Sequence, residues 1–290
     1  MLACDLDGTL LDETGNVRPS VRDAIDAIRA SGVHVVLATG RSPWAVAPIA
    51  RALGLSSPQI TMNGSAYISP MTGEVVWARK LGRDLVLDGL AFAREIGAAP
   101  LLGFVDRLVA EAPRSRSGDG QDGDGVLPDF AVGPHVRLAE TLAEIAGEGP
   151  SRLYIPTNPR DHATILAAAR RRFRGRASIV YSDTSGFELL APNTNKGHAL
   201  RALAASLGVE RSRVAAIGDG PNDREMLEWA GRSGLLLPFT ATQREAAPPR
   251  SCAGSVFSSS ADDGALEAMR AFFPAVDLEC AGRAATTVAA

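Results

Sequence analysis

The sequence predicts an α/β protein: a parallel sheet covered by helices and interrupted by an inserted α+β module. Three observations carry this. Short apolar runs alternate with amphipathic helical stretches up to Met62, and the alternation returns from about residue 191. Between the two lies a stretch of hairpin signals and short strand candidates without that order.

Leu2–Asp5 reads as a short first strand. Ser20–Ala30 puts Val21, Ala24, Ile25 and Ile28 on one helical face, with Pro19 before it and Gly32 closing it. Val33–Ala38 is an unbroken apolar run, the pattern of a strand buried on both faces. Ser42 and Pro43 open a second helix that Gly54 ends, and Gln59–Met62 is a third strand. This order implies a parallel sheet with right-handed crossovers. After Asn63, Ala66–Ser69 and Glu74–Trp77 flank a Pro-Met-Thr-Gly turn.

In the interrupting module, Asp84–Ile96 is a helix, and Pro100–Val105 and Leu108–Glu111 are short strands. Pro113–Asp129 is rich in Gly, Asp, Ser and Arg and reads as a surface insertion. Its Asp-Gly repeats lack the spacing and closing Glu of a calcium loop. Arg152–Ile155, Asp161–Phe173, Ser178–Tyr181 and Phe187–Leu190 follow as strand, helix, strand and strand. Helix Lys196–Leu207, strand Val214–Ile217, helix Asn222–Ala230, strands Leu235–Leu237 and Ser255–Phe257, and helix Asp262–Phe273 then restore the alternation. The tail from Pro274 is expected to fray. The domain reading is a core of residues 1–79 and 191–290 and a module of residues 80–190.

A net charge of -3, from 30 basic and 33 acidic residues, gives no electrostatic case for nucleic-acid binding. No apolar segment is long enough for a membrane span. Cys4, Cys252 and Cys280 form no CxxC pair, and the N-terminus carries acids where a signal peptide needs an apolar run. A reduced, cytoplasmic setting is expected. The first strand has few residues before Asp5, so the natural start is expected to lie upstream of Met1.

The chemistry-bearing residues gather at strand ends. Asp5-Leu6-Asp7-Gly8-Thr9 follows the first strand, where parallel α/β sheets bind ligands. One carboxylate of such a pair can attack phosphorus. The other can protonate the leaving oxygen and then take a proton from water. Thr39-Gly40-Arg41 ends the second strand with a hydroxyl, an open turn and a guanidinium able to fork onto phosphate. Lys196 sits at a helix start, where positive charge favours an anion. Gly218-Asp219-Gly220-Pro221-Asn222-Asp223 adds two carboxylates and an amide at another strand end. Oxygen ligands of this kind suit Mg2+, with Asp5, Asp219 and a backbone carbonyl near Asp7 as candidates. Each group alone also reads as an ordinary turn or cap; together they supply nucleophile, hydroxyl, cation and metal carboxylate.

These four segments resemble the motifs of the haloacid dehalogenase superfamily, in particular its Cof-type sugar-phosphate phosphatases of subclass IIB. Asp5–Thr9 resembles the first motif, Thr39 the second, Lys196 the third and Gly218–Leu227 the fourth. The resemblance implies a Rossmann-like core and makes the inserted module an α+β cap that selects substrate. It implies Asp5 as nucleophile and metal ligand, and Asp7 as general acid/base and backbone metal ligand. It implies Thr39 and Lys196 as phosphate binders, Asp219 as a metal ligand, and Asp223 as support for the metal shell. Gly40, Arg41, Asn63 and Asn222 are the further substrate or phosphate contacts expected. Asn63-Gly64 matches the family's approach to the cap, and Ser260–Gly264 resembles its closing loop. Ser233–Thr240 lacks the family's usual Met-Gly-Asn-Ala-like stretch, and Pro113–Asp129 has no counterpart.

The expected activity is Mg2+-dependent hydrolysis of a small phosphorylated metabolite, a phosphosugar or similar, through an aspartyl phosphate. A phosphomutase of the same superfamily and a non-catalytic binding module on this fold are the alternatives. The five arginines between Arg170 and Arg176 read as a solvated helix face, and Trp44, Trp77 and Trp229 as packing residues. Oligomeric state is not legible.

Overall fold

A computed structural model describes residues 1–112, 133–237 and 253–278. The Pro113–Asp129 insertion, Cys252, Cys280 and the end of the tail from residue 279 therefore lie outside the described residues. The chain divides into two compact units, Met1–Trp77 with Asn195–Ala290, and Ala78–Thr194.

The first unit is built on a parallel five-stranded sheet. Its members are β1 (Leu2–Cys4), β2 (Val35–Leu37), β12 (Ala215–Gly218), β13 (Arg232–Leu236) and β14 (Ser255–Phe257), in the order β14-β13-β12-β1-β2. β3 (Gln59–Thr61) continues the parallel direction beyond β2 through the Ala38–Ile60 bridge. It also pairs antiparallel with β4 (Ala66–Ile68), which β5 (Val75–Ala78) follows in a three-stranded sheet.

The unbroken apolar runs have a direct cause: both faces of the parallel sheet are buried. On one face Leu2, Cys4, Val35, Leu37, Ala215 and Ile217 pack with α1 (Pro19–Ala30), α2 (Pro43–Ala52) and α7 (Gly264–Phe272). On the other, Ala3, Val36 and Ala216 pack with α5 (Lys196–Ser206) and α6 (Arg224–Trp229). Replacing fully buried Leu37 by Ala would cost roughly 2–5 kcal/mol. The central strand β1 is flanked by β2 and β12, with Cys4 level with Leu37 and Ile217. The loops after these three strands therefore leave the sheet at one edge.

The second unit has a six-stranded sheet in the order β10-β11-β9-β6-β7-β8. Its strands are β6 (Leu101–Gly103), β7 (Leu108–Glu111), β8 (Val136–Ala139), β9 (Arg152–Pro156), β10 (Ser178–Val180) and β11 (Gly186–Leu190). Pairing is antiparallel except between β7 and β8. Its helices are α3 (Arg83–Glu95) and α4 (His162–Arg172). Phe92, Phe173 and Phe187 form edge-on ring contacts at the centre of its own core.

Several expectations are corrected. β8 is a strand the sequence did not announce: Val136-Arg-Leu-Ala has little apolar signal and gains its partner from β7. The last helix starts at Gly264, because Asp263 takes left-handed backbone angles. The segment after Pro274 does not fray at once, since Leu278 is buried in the core. Trp77 does pack, tilted against Tyr67 at 5.2 Å, but at the surface, where it is 44% exposed. The arginine run is not simply a solvated face: Arg172 and Arg176 bind Asp88 of α3, and Arg172 also binds Glu95.

Candidate active site

β1 delivers Asp5 directly at its C-terminal end, and the carboxylate is buried there. Lys196, the first residue of α5, is fully buried beneath it. Its Nζ donates to Asp5 Oδ1 at 2.6 Å and to Asp223 Oδ1 at 2.7 Å. Asn195 makes this placement possible by capping α5, its side chain accepting from His198 N at 2.7 Å. That fixes where the helix starts and so where the lysine points.

The loop after β12 brings two more carboxylates. Asp223 Oδ2 accepts from the backbone N–H of Asp219 and Gly220, at 3.1 and 2.9 Å. Gly218 lies so close to the Asp223 side chain that a Cβ there would overlap it. Asp219 Oδ1 accepts from Thr9 Oγ1 at 2.9 Å. Oxygens of Asp5, Asp219 and Asp223 all lie within 4.8 Å of one another.

The electrostatics follow from burial. Desolvation and the Asp223 charge push the Asp5 carboxyl well above the usual carboxylate range, against the pull of Lys196. Desolvation, then Asp223, raises Asp219 to about 7. Burial works to lower the Lys196 ammonium, but Asp223 and Asp5 outweigh it and hold the group charged. With all three carboxylates ionised, one ammonium would leave two negative charges uncompensated. Such an excess is costly away from water unless a cation joins it. The donor set therefore fits a divalent metal with hard oxygen ligands. Asp5 and Asp219 would carry the ligation, because both oxygens of Asp223 are engaged by Lys196 and the loop amides.

The remaining expected site residues divide into two groups. Arg41 does fork, but onto Asp7: Nε reaches Oδ2 at 2.9 Å and Nη2 reaches Oδ1 at 2.6 Å. The Asp7 side chain is 57% exposed, unlike Asp5. Thr39 is fully buried and its Oγ1 accepts from Arg41 N at 3.1 Å, across Gly40. Asn63 and Asn222 are buried together, Asn222 Nδ2 donating to Asn63 Oδ1 at 3.0 Å. All ten expected site residues lie in the first unit. Sequence reasoning gave no role to Thr9, the hydroxyl that holds Asp219. Its place at the end of the Asp-x-Asp-Gly-Thr stretch was the available signal.

The model of the haloacid dehalogenase-like hydrolases matches residues 2–242, and the chain belongs to that family. The fold is similar to that of a subclass IIB sugar phosphatase of this superfamily, with a TM-score of 0.71 and 20% identity over 93% of this chain and 98% of that one. The phosphatase YwpJ of Bacillus subtilis is 28% identical over 254 residues, 80% of this chain and 87% of its own. The HMP-PP phosphatase of Cronobacter sakazakii is 27% identical over 237 residues, covering 81% and 82%. The fold is also that of a phosphatase of this superfamily from Bacteroides thetaiotaomicron, with a TM-score of 0.73 and 22% identity over 93% of this chain and 94% of that one. No helix among the described residues is long and apolar enough to cross a membrane.

Proposed function

We propose that this phosphatase hydrolyses a small phosphate monoester, of the phosphosugar type, through an aspartyl phosphate on Asp5 with Mg2+ bound at Asp5 and Asp219. The observation that carries the reading is the buried cluster itself: three carboxylates and one lysine at the end of the central strand.

In this reading Asp5 attacks phosphorus, and the bond to the leaving oxygen breaks as the new P–O bond forms. Lys196 grips Asp5 Oδ1, which directs Oδ2 to the attack. Asp7 gives a proton to the leaving oxygen, then takes one from the water that cleaves the acyl phosphate. Arg41 fixes the position from which the Asp7 carboxyl works. Thr39 and Lys196 take the phosphoryl oxygens, with Gly40, Asn63 and Asn222 shaping the surrounding loops. When bound, Mg2+ offsets repulsion between Asp5 and the phosphate dianion. The backbone carbonyl of Asp7 would complete the protein ligands, and Asp223 would support them. The unit Ala78–Thr194 serves as the cap that selects the leaving group. A cytoplasmic setting suits the free, buried Cys4.

Asp5→Asn tests this. Phosphate release from a panel of phosphorylated metabolites with Mg2+ present should fall to background in the variant, with the circular-dichroism spectrum unchanged. Full activity in Asp5→Asn would overturn the assignment. A wild type that only moves phosphate within a sugar, releasing none, would make it a mutase.

A further inference from the structure

Between β3 and β4 the chain makes a tight, buried turn at Met62-Asn63-Gly64. All three residues have positive φ, at 50°, 53° and 93°. Such a run is strained for Met62, tolerable for Asn63 and natural only for Gly64. Strain of this kind persists only where the surroundings over-determine it.

Here the surroundings are the loops of the site. Asn63 N donates to Thr39 O at 3.0 Å, and Met62 N donates to Arg41 O at 2.9 Å. A Cβ on Gly40 would sit 3.0 Å from Asn63 Nδ2, so this loop packs directly on the Asn63 amide. A Cβ on Gly64 would run into the carbonyl of Asn195, the residue that caps α5 and places Lys196. Asn63 Oδ1 accepts from Asn222 Nδ2, inside the turn whose next residue is Asp223. One buried side chain thus touches the Thr39 loop and the Asp219–Asp223 loop, and its neighbour touches the start of α5.

We propose that Asn63 is a positioning residue: its amide holds Asn222, and through it the Asp219–Asp223 loop, in the arrangement that binds the metal. This rests on the phosphatase reading above but differs from the expectation that Asn63 meets substrate. At 2% exposure Asn63 is an interior group among the described residues, and its bonded partner is protein.

The consequence is coupling between two residues 159 positions apart. Asn63→Gly keeps the left-handed backbone and removes the amide; Asn222→Ala removes the other half of the bond. Mg2+ binding to the substrate-free protein, read by calorimetry, should weaken about fivefold in each, the worth of one hydrogen bond. The double variant should be no weaker than either single one. Substrate KM at saturating Mg2+ should stay at the wild-type value while kcat falls. The proposal is overturned if the two losses multiply, or if Asn63→Gly raises KM and leaves Mg2+ binding unchanged. Wild-type protein that binds no Mg2+ would instead sink the metal assignment, and with it the phosphatase mechanism.

Discussion

Two clusters of acids and bases in this molecule look alike on paper and differ in kind. In the first unit, Lys196 meets Asp5 and Asp223 with Asp219 close by, all buried. In the second, Arg172 and Arg176 meet Asp88 and Glu95 with charges in balance and side chains 24–59% exposed. The exposed set also lays Arg172 over the rings of Phe92 and Phe173, so its stems cover apolar surface. It joins α3 to α4 and needs nothing more. The buried set is short of positive charge, and is relieved either by retained protons or by an added metal cation. Burial together with imbalance, rather than the number of ion pairs, separates a site from a staple.

The contrast can be broken at three points, the largest effect first. Lys196→Met leaves the buried carboxylates without their ammonium. Removing one partner of a buried pair costs about 3–5 kcal/mol. The denaturation midpoint should drop accordingly without metal, Mg2+ should restore part of it, and turnover should be lost. A midpoint shift no larger than that of a surface variant would contradict the charge argument.

Next comes pH. In the folded, metal-free protein Asp219 keeps its proton up to about 7. In the unfolded chain it releases that proton near the ordinary value of about 3.9. The folded state therefore binds more protons across this window, and stability falls as pH rises through it. Asp5, also raised, acts in the same direction. Thermal unfolding in the presence of a chelator should shift down by several degrees or more, on the order of 5–10 °C, between pH 5 and pH 8. Saturating Mg2+ should flatten the profile, and a flat profile without metal would refute the prediction.

The smallest effect belongs to the exposed cluster. Arg172→Ala should cost at most about 1 kcal/mol for its ion pairs, plus a little lost packing on Phe92 and Phe173. Activity toward a small phosphate ester should be within twofold of wild type, about the effect of any surface change. A loss of turnover here would mean that the arginine run does contribute to substrate handling.

The core fold was legible because its signals are local. Val33–Ala38 announces a strand buried on two faces, and Pro19 and Pro43 announce helix starts that the structure shows. The acidic, hydroxyl and lysine groups at the strand ends were legible for the same reason. What stayed hidden is pairing across the chain. Nothing local says that Arg41 will fork onto Asp7, that Thr9 will hold Asp219, or that Asn222 will find Asn63. The arginine run is largely solvated, as helix-face reasoning expects, but that reasoning sees one helix and not Asp88 and Glu95 on its neighbour. β8 was missed because a four-residue edge strand takes its identity from its partner.

The pairing of β1 with β12, Leu2 level with Ala215, also has a bearing on synthesis. Asp5 is made 191 residues before Lys196 and earlier still than Asp219. Until then the Asp5 strand lacks its neighbour on one side, and its acid is free to stay in water. Ala78–Thr194, which has its own hydrophobic core, can form in the interval and shorten the chain that must still be closed. The buried cluster is thus completed only late in synthesis, and a chain stalled before Lys196 carries its first acidic motif without the ammonium that Asp5 meets in the fold.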